Sequence, residues 1–524
     1  MADAIATEAR RRRTFAIISH PDAGKTTLTE KLLLFSGVIG EAGAVGARSG
    51  RREVTSDWMD MERARGISIT STVLQFEVGD RLFNLLDTPG HKDFSEDTYR
   101  VLSAVDSAVI VIDGAKGIEA QTLKLFQVAQ ARGIPLITFV NKCDRPGMAP
   151  LEILDDIERQ LGIVATPVTW PVGSGQAFQG VVDRRDSVFW EFERTARGTK
   201  IGAEHELRLT PETAGGDEWR EAALSELELL AEVEANHDPK RFLAGETTPV
   251  FFGSALWNFG VRLLLDAVDT MAPSPQPREG TDGEPRRLDD GVSGFIFKIQ
   301  ANLDPRHRDR VAYMRLCTGH FERGMTLTSN RTGRSFTTKY AHQVFGRERD
   351  TVEDAFPGDI VGLVNANDLL IGDTLSLDGV VRYPPIPTFA PEFFRVARNL
   401  DTGRYKQFRK GITQLDEEGV IQILRTEQGG EREPILAAVG EMQYEVALHR
   451  LQHEFNAEVL FESTPWNVAR RTDDAGVGTL AGIRGVEVAR RSSGIPVALF
   501  TNRHRLEAVE RDHPDLLLDP IIAL

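Results

Sequence analysis

Residues 19–26 read Ser-His-Pro-Asp-Ala-Gly-Lys-Thr, which is close to the spacing of a phosphate-binding loop, with Ser19 in place of the first glycine. In such a loop, backbone N–H groups and the N-terminus of the next helix surround the phosphates, and Lys25 adds a positive charge. The Thr26 hydroxyl is a candidate Mg²⁺ ligand. The alternative is a plain helix start with an exposed lysine. The predicted phosphate-binding residues are Ser19, His20, Pro21, Asp22, Ala23, Gly24, Lys25 and Thr26.

A second motif is Asp87, Thr88, Pro89, Gly90 and His91. In a phosphate-loop protein, an aspartate at this point holds Mg²⁺, usually through water, so Asp87 is a candidate metal residue. The Gly90 N–H can meet a terminal phosphate, and His91 can orient the attacking water. The alternatives are a plain turn after a strand and a surface histidine.

A third motif, Asn141-Lys142-Cys143-Asp144, predicts recognition of guanine. The Asp144 carboxylate can accept hydrogen bonds from guanine N1–H and the 2-amino group, a pair that adenine cannot supply. Asn141 can tie this segment to the phosphate loop, and the Lys142 stem can cover the base. Ser254 and Ala255 precede a leucine, and a backbone N–H there can reach guanine O6.

Residues 65–70 read Arg-Gly-Ile-Ser-Ile-Thr and lie between the first two motifs. Guanine-nucleotide switches place a hydroxyl in this region on Mg²⁺ and the γ-phosphate, and order it only in the triphosphate state. Ser68 is therefore a third candidate metal ligand. The alternative is that Ser68 only begins a strand.

Short apolar runs must position these motifs. Residues 15–19, 82–86, 108–113, 135–140 and 249–252 are apolar without alternation, as in strands buried on both faces. Amphipathic segments between them predict helices, and hence an α/β domain with a mostly parallel sheet. The motifs that begin at Ser19, Asp87, Asn141 and Ser254 each lie at the end of such a strand, at the edge where open α/β sheets bind ligands. Together they predict a guanine-nucleotide-binding domain.

The 524 residues suggest about three domains. Residues 273–290 are rich in Pro, Gly and charge and indicate a linker, and short strand-like segments after it predict a β-barrel. A second proline-rich break at 383–387 precedes a mixed α+β segment whose last ~50 residues have no clear assignment. The predicted domains are 1–275, with an insertion around 180–220, then 290–385 and 390–524.

The composition limits the class of protein to which the chain can belong. The net charge of −16 argues against a generally basic, nucleic-acid-coating protein, although local basic patches are compatible with it. Two cysteines exclude a disulfide framework, and no apolar run reaches the roughly 20 residues of a membrane helix. No signal peptide is evident, so a cytoplasmic protein is expected.

Two other groups of residues have competing interpretations. His449 and His453 are four residues apart but lack the His-Glu-x-x-His pattern and a third ligand, so a helix face is expected rather than a metal site. The basic groups 306–310 and 404–410 are candidates for contacts with RNA phosphates, or simply solvated surface.

These motifs together resemble the translational GTPases, and among them most closely the peptide chain release factor 3 family, which is similar to elongation factor G. The resemblance covers nearly the whole chain. Lys92 and Cys143 depart from the expected residues, but neither side chain has an assigned chemical role. The segments that carry the resemblance are 19–27, 56–59, 65–70, 91–100, 295–310 and 389–392.

The resemblance implies a monomeric, Mg²⁺-dependent GTPase that binds the ribosome, both RNA and proteins, after peptide release. GTP binding would dislodge the codon-reading class I release factors, and hydrolysis would free the protein itself. His91 carries over as the water-positioning residue. The ribosomal translocase is the nearest rival, but its further C-terminal domains would not fit into the roughly 140 residues after the second break.

Two readings from other classes compete with this one. A small-molecule kinase would not need the Asn-Lys-x-Asp pattern or an added β-barrel, and competition between GTP and ATP would separate the two. A GTP-dependent assembly module without meaningful turnover is separated by the effect of His91→Ala on hydrolysis.

Overall fold

The first half of the chain folds around a seven-stranded sheet. This computed structural model describes residues 2–39, 70–195, 199–233, 236–301, 310–345, 348–364, 366–386, 388–427 and 429–520. Only the edge pair, Thr72–Val78 with Arg81–Asp87, is antiparallel, so the prediction of a mostly parallel sheet is confirmed. The spatial order is Thr72–Val78, Arg81–Asp87, Arg12–Ser19, Ser107–Asp113, Leu136–Asn141, Thr247–Phe252 and Val164–Pro167.

Helices cover both faces of this sheet. Every residue of Ser107–Asp113 is buried, as its unbroken apolar run predicts. Two apolar clusters, one on each face, form the core. The sequence did not predict the first helix, Ala2–Arg11, which packs before the first strand. The helices are Ala2–Arg11, Lys25–Phe35, Ser95–Ser103, Ala120–Ala131, Pro150–Leu161 and Val261–Met271, with a short 3₁₀ turn at Lys92–Phe94.

An inserted unit occupies the chain between the last two strands of the sheet. Its four antiparallel strands are Thr169–Val172, Gly180–Asp183, Val188–Phe192 and Glu204–Arg208, and its helices are Pro211–Ala214, Glu218–Glu232 and Pro239–Leu243. The unit starts about ten residues before the expected insertion, because Thr169–Val172 pairs with Gly180–Asp183. These four strands are the insertion sheet, and after the insertion the chain enters Thr247–Phe252, which pairs in parallel with Val164–Pro167.

A small β domain follows a linker that contains a two-stranded hairpin, Arg278–Glu279 with Pro285–Arg286. The β domain has an eight-stranded antiparallel sheet and one further strand pair around a single apolar core. It is the predicted β-barrel. Its strands are Ser293–Ala301, Arg310–Thr318, Phe321–Glu322, Thr326–Ser329, Ser335–Thr337, Ala341–Phe345, Glu348–Thr351, Asp354–Ala355, Ile360–Val364 and Thr374–Ser376.

The C-terminal domain combines an eight-stranded antiparallel sheet with helices. Its helices are Tyr405–Glu417, Met442–His453, Asp474–Leu480 and Arg503–Asp512. The last fifty residues, which the sequence left unassigned, contribute strands to this same sheet and a separate small apolar cluster. The strands are Phe393–Asn399, Gln422–Thr426, Ile435–Ala438, Val459–Ser463, Val468–Arg471, Val486–Arg491, Pro496–Phe500 and Asp519–Pro520.

Buried ion pairs join the β domain to the nucleotide-binding domain. Arg315 lies 2.6 Å from Asp106, and Arg12 lies 2.9 Å from Asp359, with all four side chains almost fully buried. Breaking one partner of such a pair is costly because it leaves an unpaired buried charge. Within the described ranges, no helix has both the length and the apolar character needed to cross a membrane.

Candidate functional site

The phosphate loop lies between the strand Arg12–Ser19 and the helix Lys25–Phe35. Gly24 caps this helix in the left-handed conformation, with φ 97°, and a Cβ at this position would collide with the Asn141 amide. Both features require glycine. The N-terminus of the helix and its first N–H groups point into the cleft, where they favour an anion.

Lys25 and Asp87 form a buried ion pair at the base of the loop. Lys25 Nζ lies 2.6 Å from Asp87 Oδ1, and both side chains are at most 5% exposed. Asp87 ends its strand, as the sequence indicates. Thr26 lines the cleft above this pair. The hydroxyl of Thr26 and the carboxylate of Asp87 are hard oxygen donors, the type that Mg²⁺ prefers.

The segment after Asp87 is held against the phosphate loop. Thr88 Oγ1 donates to the Ile17 carbonyl at 2.7 Å, which fixes the turn to the first strand. A Cβ on Gly90 would lie 3.6 Å from Pro21 Cα, so the two loops are in close contact. Pro89 and Gly90 therefore lead His91 to the cleft.

His91 is partly exposed, with 25% of its side chain accessible. Its Nδ1 accepts the Asp93 backbone N–H at 3.3 Å and lies 3.4 Å from Asp93 Oδ1. In a neutral ring, an Nδ1 that accepts a hydrogen bond carries no proton, so the proton is assigned to Nε2. Nε2 can then donate a hydrogen bond to a water molecule. A short 3₁₀ turn, Lys92–Phe94, fixes the residues that hold the ring.

Asn141 bridges two loops of the site. Its Nδ2 donates to the Ala23 carbonyl at 2.8 Å, and its Oδ1 accepts the Ala255 N–H at 2.8 Å. The expected tie to the phosphate loop is present. The same side chain also anchors the segment that begins at Ser254.

Lys142 adopts a left-handed conformation, with φ 68°, and its Nζ reaches the Asp22 carbonyl at 2.5 Å and Asp113 Oδ2 at 2.7 Å. Burial of Asp113 opposes its ionisation, but the hydrogen bond from Lys142 lowers the pKa of Asp113 below its ordinary value. This ion pair holds the Lys142 side chain along one side of the cleft, where Asp144 also lies.

Two polar atoms on this side of the cleft are enclosed without a partner among the described residues. They are Asp144 Oδ1 and Ser254 Oγ. A buried carboxylate oxygen without a donor is costly, and N–H donors of a bound base would satisfy it. Burial raises the pKa of the neighbouring Cys143 thiol to about 12, so this side chain carries no charge beside Asp144 at neutral pH.

All four described motifs converge on one cleft of about 430 Å³. His20 turns partly aside, with Nε2 3.0 Å from Glu119. Five of the predicted site residues lie behind the walls of the cleft without lining it, namely Ala23, Asp87, Thr88, Pro89 and Ala255. Ser68 lies outside the described residues. The lining residues are Ser19, His20, Pro21, Asp22, Gly24, Lys25, Thr26, Thr27, Gly90, His91, Asn141, Lys142, Asp144, Arg145, Ser254 and Leu256.

The sequence assigned no site role to Thr27, Arg145 and Leu256, which also line the cleft. Each directly follows a motif residue, and that proximity was the available signal. His449 and His453 stack on one helix with ring centroids 4.2 Å apart. Both residues lie on the helix Met442–His453, so the prediction that they belong to a helix is confirmed.

Three family models match the chain in succession. The model described as Elongation factor Tu GTP binding domain matches residues 10–274. Elongation factor G domain 2 matches residues 291–378, and Class II release factor RF3, C-terminal domain, matches residues 383–510. The order of these matches is that of the three structural units.

Individual relatives extend over nearly the whole chain. A peptide chain release factor 3 from Gloeobacter violaceus is 52% identical over 477 residues, or 89% of this chain and 88% of the relative. One from Acaryochloris marina is 47% identical over 524 residues, or 98% of this chain and 96% of the relative. A crystal structure from Thermus thermophilus, at 24% identity, has a TM-score of 0.70 and covers 92% of this chain and 73% of its own, a likeness of fold.

Proposed function

This chain belongs to the peptide chain release factor 3 family, and from that membership we propose that it acts on ribosomes after peptide release. It is a GTPase of translation termination. Its GTP-bound form dislodges the codon-reading class I release factors, and hydrolysis then lets the protein itself leave. It acts as a monomer in the cytoplasm, where ribosomes are found.

The observation that carries this proposal is a direct contact between the residues after His91 and the C-terminal domain. Asp93 Oδ2 accepts the Met442 N–H at 2.9 Å, at the start of the helix Met442–His453. Phe94 packs against Val446 and Met442. A rearrangement of the residues around a terminal phosphate would therefore be transmitted to the C-terminal domain through this contact.

The helix that follows continues this contact. Arg100 Nη1 donates to the Gly419 carbonyl at 3.2 Å, and Gln422 Nε2 donates to Glu96 Oε2 at 3.3 Å. Arg100 is itself paired with Glu96 at 2.6 Å, with both side chains buried. The helix Ser95–Ser103 and the C-terminal domain would consequently either move together or separate by breaking these hydrogen bonds.

The sequence motifs, together with the cleft that most of them line, support the following catalytic and binding roles. The N–H groups around Gly24 and the Lys25 ammonium bind the phosphates, and Asp144 accepts the guanine N1–H and 2-amino group. His91 orients the attacking water through Nε2, while Asp93 fixes its ring. Thr26, Ser68 and Asp87 would hold Mg²⁺, which when bound neutralises phosphate charge that develops during transfer.

The ribosome is a highly charged partner, and the C-terminal domain offers exposed cations to it. Lys406, Arg409 and Lys410 are exposed on the helix Tyr405–Glu417. Arg409 pairs with Glu431 at 3.0 Å, and Arg310 pairs with Glu417 at 2.8 Å. The other basic candidates, residues 306–309, lie outside the described residues.

The test is GTP hydrolysis with and without ribosomes, with ATP as competitor in the binding step. The proposal expects hydrolysis to rise strongly on addition of ribosomes and ATP to leave GTP binding unaffected. An absence of ribosomal stimulation would favour a GTP-dependent assembly module instead. Displacement of GTP by ATP would instead favour the alternative that the protein is a small-molecule kinase.

A further inference from the structure

Trp257 contacts the carboxylate assigned to base recognition. Its indole Nε1 donates to Asp144 Oδ2 at 3.3 Å, while Asp144 Oδ1 is enclosed and has no partner among the described residues. The indole is partly buried and packs on the edge of the domain core. One carboxylate oxygen is thus held by the protein and the other is left for a ligand.

Segments of the insertion that flank its sheet contact Trp257 and the residue after it. The Arg194 guanidinium lies 5.5 Å from the Trp257 ring centroid, and Arg194 Nη2 donates to the Gln176 carbonyl at 3.3 Å. At the next residue, Asn258 Nδ2 donates to the Lys200 carbonyl at 2.8 Å. Two successive residues of the loop that follows Ser254 are therefore held by the insertion.

The contact extends further along the same loop. The Phe259 ring stacks on Phe192 with centroids 4.9 Å apart. Arg262 pairs with Glu204 at 2.6 Å and lies 4.2 Å above the Trp190 ring. The insertion sheet is thus packed against the residues that directly follow Trp257.

We propose that Trp257 is a positioning residue for guanine recognition, and that the insertion sets its place through Arg194. This inference rests on the proposed guanine-reading role of Asp144. Guanine presents two parallel N–H donors, so both carboxylate oxygens must lie in the plane of the base. Oδ2 keeps a second lone pair for the base while it accepts the indole N–H. The indole therefore fixes the carboxylate rotation that allows two hydrogen bonds.

The test compares GDP with inosine diphosphate, whose base keeps N1–H but lacks the 2-amino group. Trp257→Phe removes the N–H and leaves an aromatic ring beneath Arg194. We expect GDP affinity to fall about three- to tenfold, as for the loss of one well-placed hydrogen bond. Inosine diphosphate makes only one hydrogen bond to Asp144, so its affinity should change less than about twofold.

Trp190→Phe is the matched control. Trp190 also lies beneath an arginine, but its Nε1 is buried with no hydrogen-bond partner in the described part of the chain. Its removal should leave the preference for GDP over inosine diphosphate unchanged. A second variant, Arg194→Gln, changes an exposed side chain and should reduce the same preference about two- to threefold.

A reduced GDP preference in Trp257→Phe, with Trp190→Phe like wild type, supports the inference. An unchanged preference, or equal losses for the two nucleotides, overturns it, because equal losses indicate packing alone. If Trp257→Phe does not fold, Arg194→Gln decides by the same criterion. Wild-type protein that does not distinguish GDP from inosine diphosphate would instead refute the proposed role of Asp144.

Discussion

At the scale of single residues, we propose that His91 sets the rate of hydrolysis, because its imidazole lines the cleft directly after Gly90, whose N–H can meet the terminal phosphate. His91→Ala should lower ribosome-stimulated hydrolysis about 10²- to 10⁴-fold, the usual contribution of a positioned acid–base group. GTP affinity should remain within about twofold, since the ring is not part of the phosphate loop. Single-turnover hydrolysis and equilibrium binding measure the two effects separately.

His453→Ala is the control for this variant, because His453 is exposed at the end of the helix Met442–His453 and forms a hydrogen bond within it, to the His449 carbonyl at 2.9 Å. It should behave as wild type. Ribosome-stimulated hydrolysis that survives unchanged in His91→Ala would remove the catalytic assignment.

The proposed role of Asp144 is to select which base is bound. Asp144→Asn replaces an acceptor oxygen with an NH₂ donor, which suits the 2-oxo group of xanthine and opposes the 2-amino group of guanine. We expect the preference to change from GTP to xanthosine triphosphate by at least about 100-fold, since GTP would lose the hydrogen bond at its 2-position and xanthosine triphosphate would gain one there. Competition binding with both nucleotides measures it, and an unchanged GTP preference would contradict the role.

The side chains differ in how far sequence could predict their contacts. The tie from Asn141 to the phosphate loop follows from its motif, because the spacing places both segments at one sheet edge. The hydrogen bond from Trp257 to Asp144 does not, because Trp257 belongs to no motif and lies 113 positions further along the chain. The fit of the insertion sheet against that loop is equally a product of tertiary packing.

At the scale of elements, the phosphate loop depends on the conformation of Gly24. Gly24→Ala adds a Cβ to a residue with φ 97° and drives it into the Asn141 amide. Both the strain and the clash distort the loop that surrounds the phosphates. We expect GTP affinity to fall by at least about tenfold, which is about 1.4 kcal/mol. Isothermal titration with GDP and GTP measures the loss.

Gly37→Ala is the matched control, because Gly37 also has a positive φ of 78° but a Cβ added to it would have no atom within 4 Å. It should cost only about 1 kcal/mol of folding stability and leave nucleotide affinity unchanged. If the two variants had equal nucleotide affinities, the clash between a Cβ at position 24 and the Asn141 amide would not be the cause of the loss of affinity in Gly24→Ala.

The strands of the nucleotide-binding domain were predictable because apolar runs such as Ser107–Asp113 are too short for helices and bounded by turn residues. The helix Ala2–Arg11 was not predicted because its apolar face is short and arginines occupy its last turn. In the last fifty residues, strands such as Val486–Arg491 carry mostly partly buried side chains, so their polar character masks them. Their place is set by pairing with Pro496–Phe500 and Gln422–Thr426.

At the scale of the whole molecule, Gly440 sets how closely the C-terminal domain approaches the residues after His91. A Cβ on Gly440 would overlap the Asp93 carboxylate. Gly440→Ala should therefore push Asp93 away from the Met442 N–H while leaving the phosphate loop intact. We expect unchanged GDP affinity and a several-fold slower release-factor dissociation, measured on post-release ribosomes.

Gly478→Ala is the control within the same domain, because no atom lies within 4 Å of a Cβ at that helical position. It should leave dissociation at the wild-type rate. A normal rate in Gly440→Ala would mean that this contact does not transmit the nucleotide state.

The most direct test of the account follows a labelled class I release factor on post-release ribosomes after addition of this protein with GTP, a non-hydrolysable GTP analogue or GDP. The account predicts rapid dissociation of the release factor with GTP and with the analogue, and none above background with GDP. It further predicts that the protein itself stays bound with the analogue. Equal dissociation with GDP, or none with GTP, would contradict the claim that the GTP-bound form dislodges the release factor.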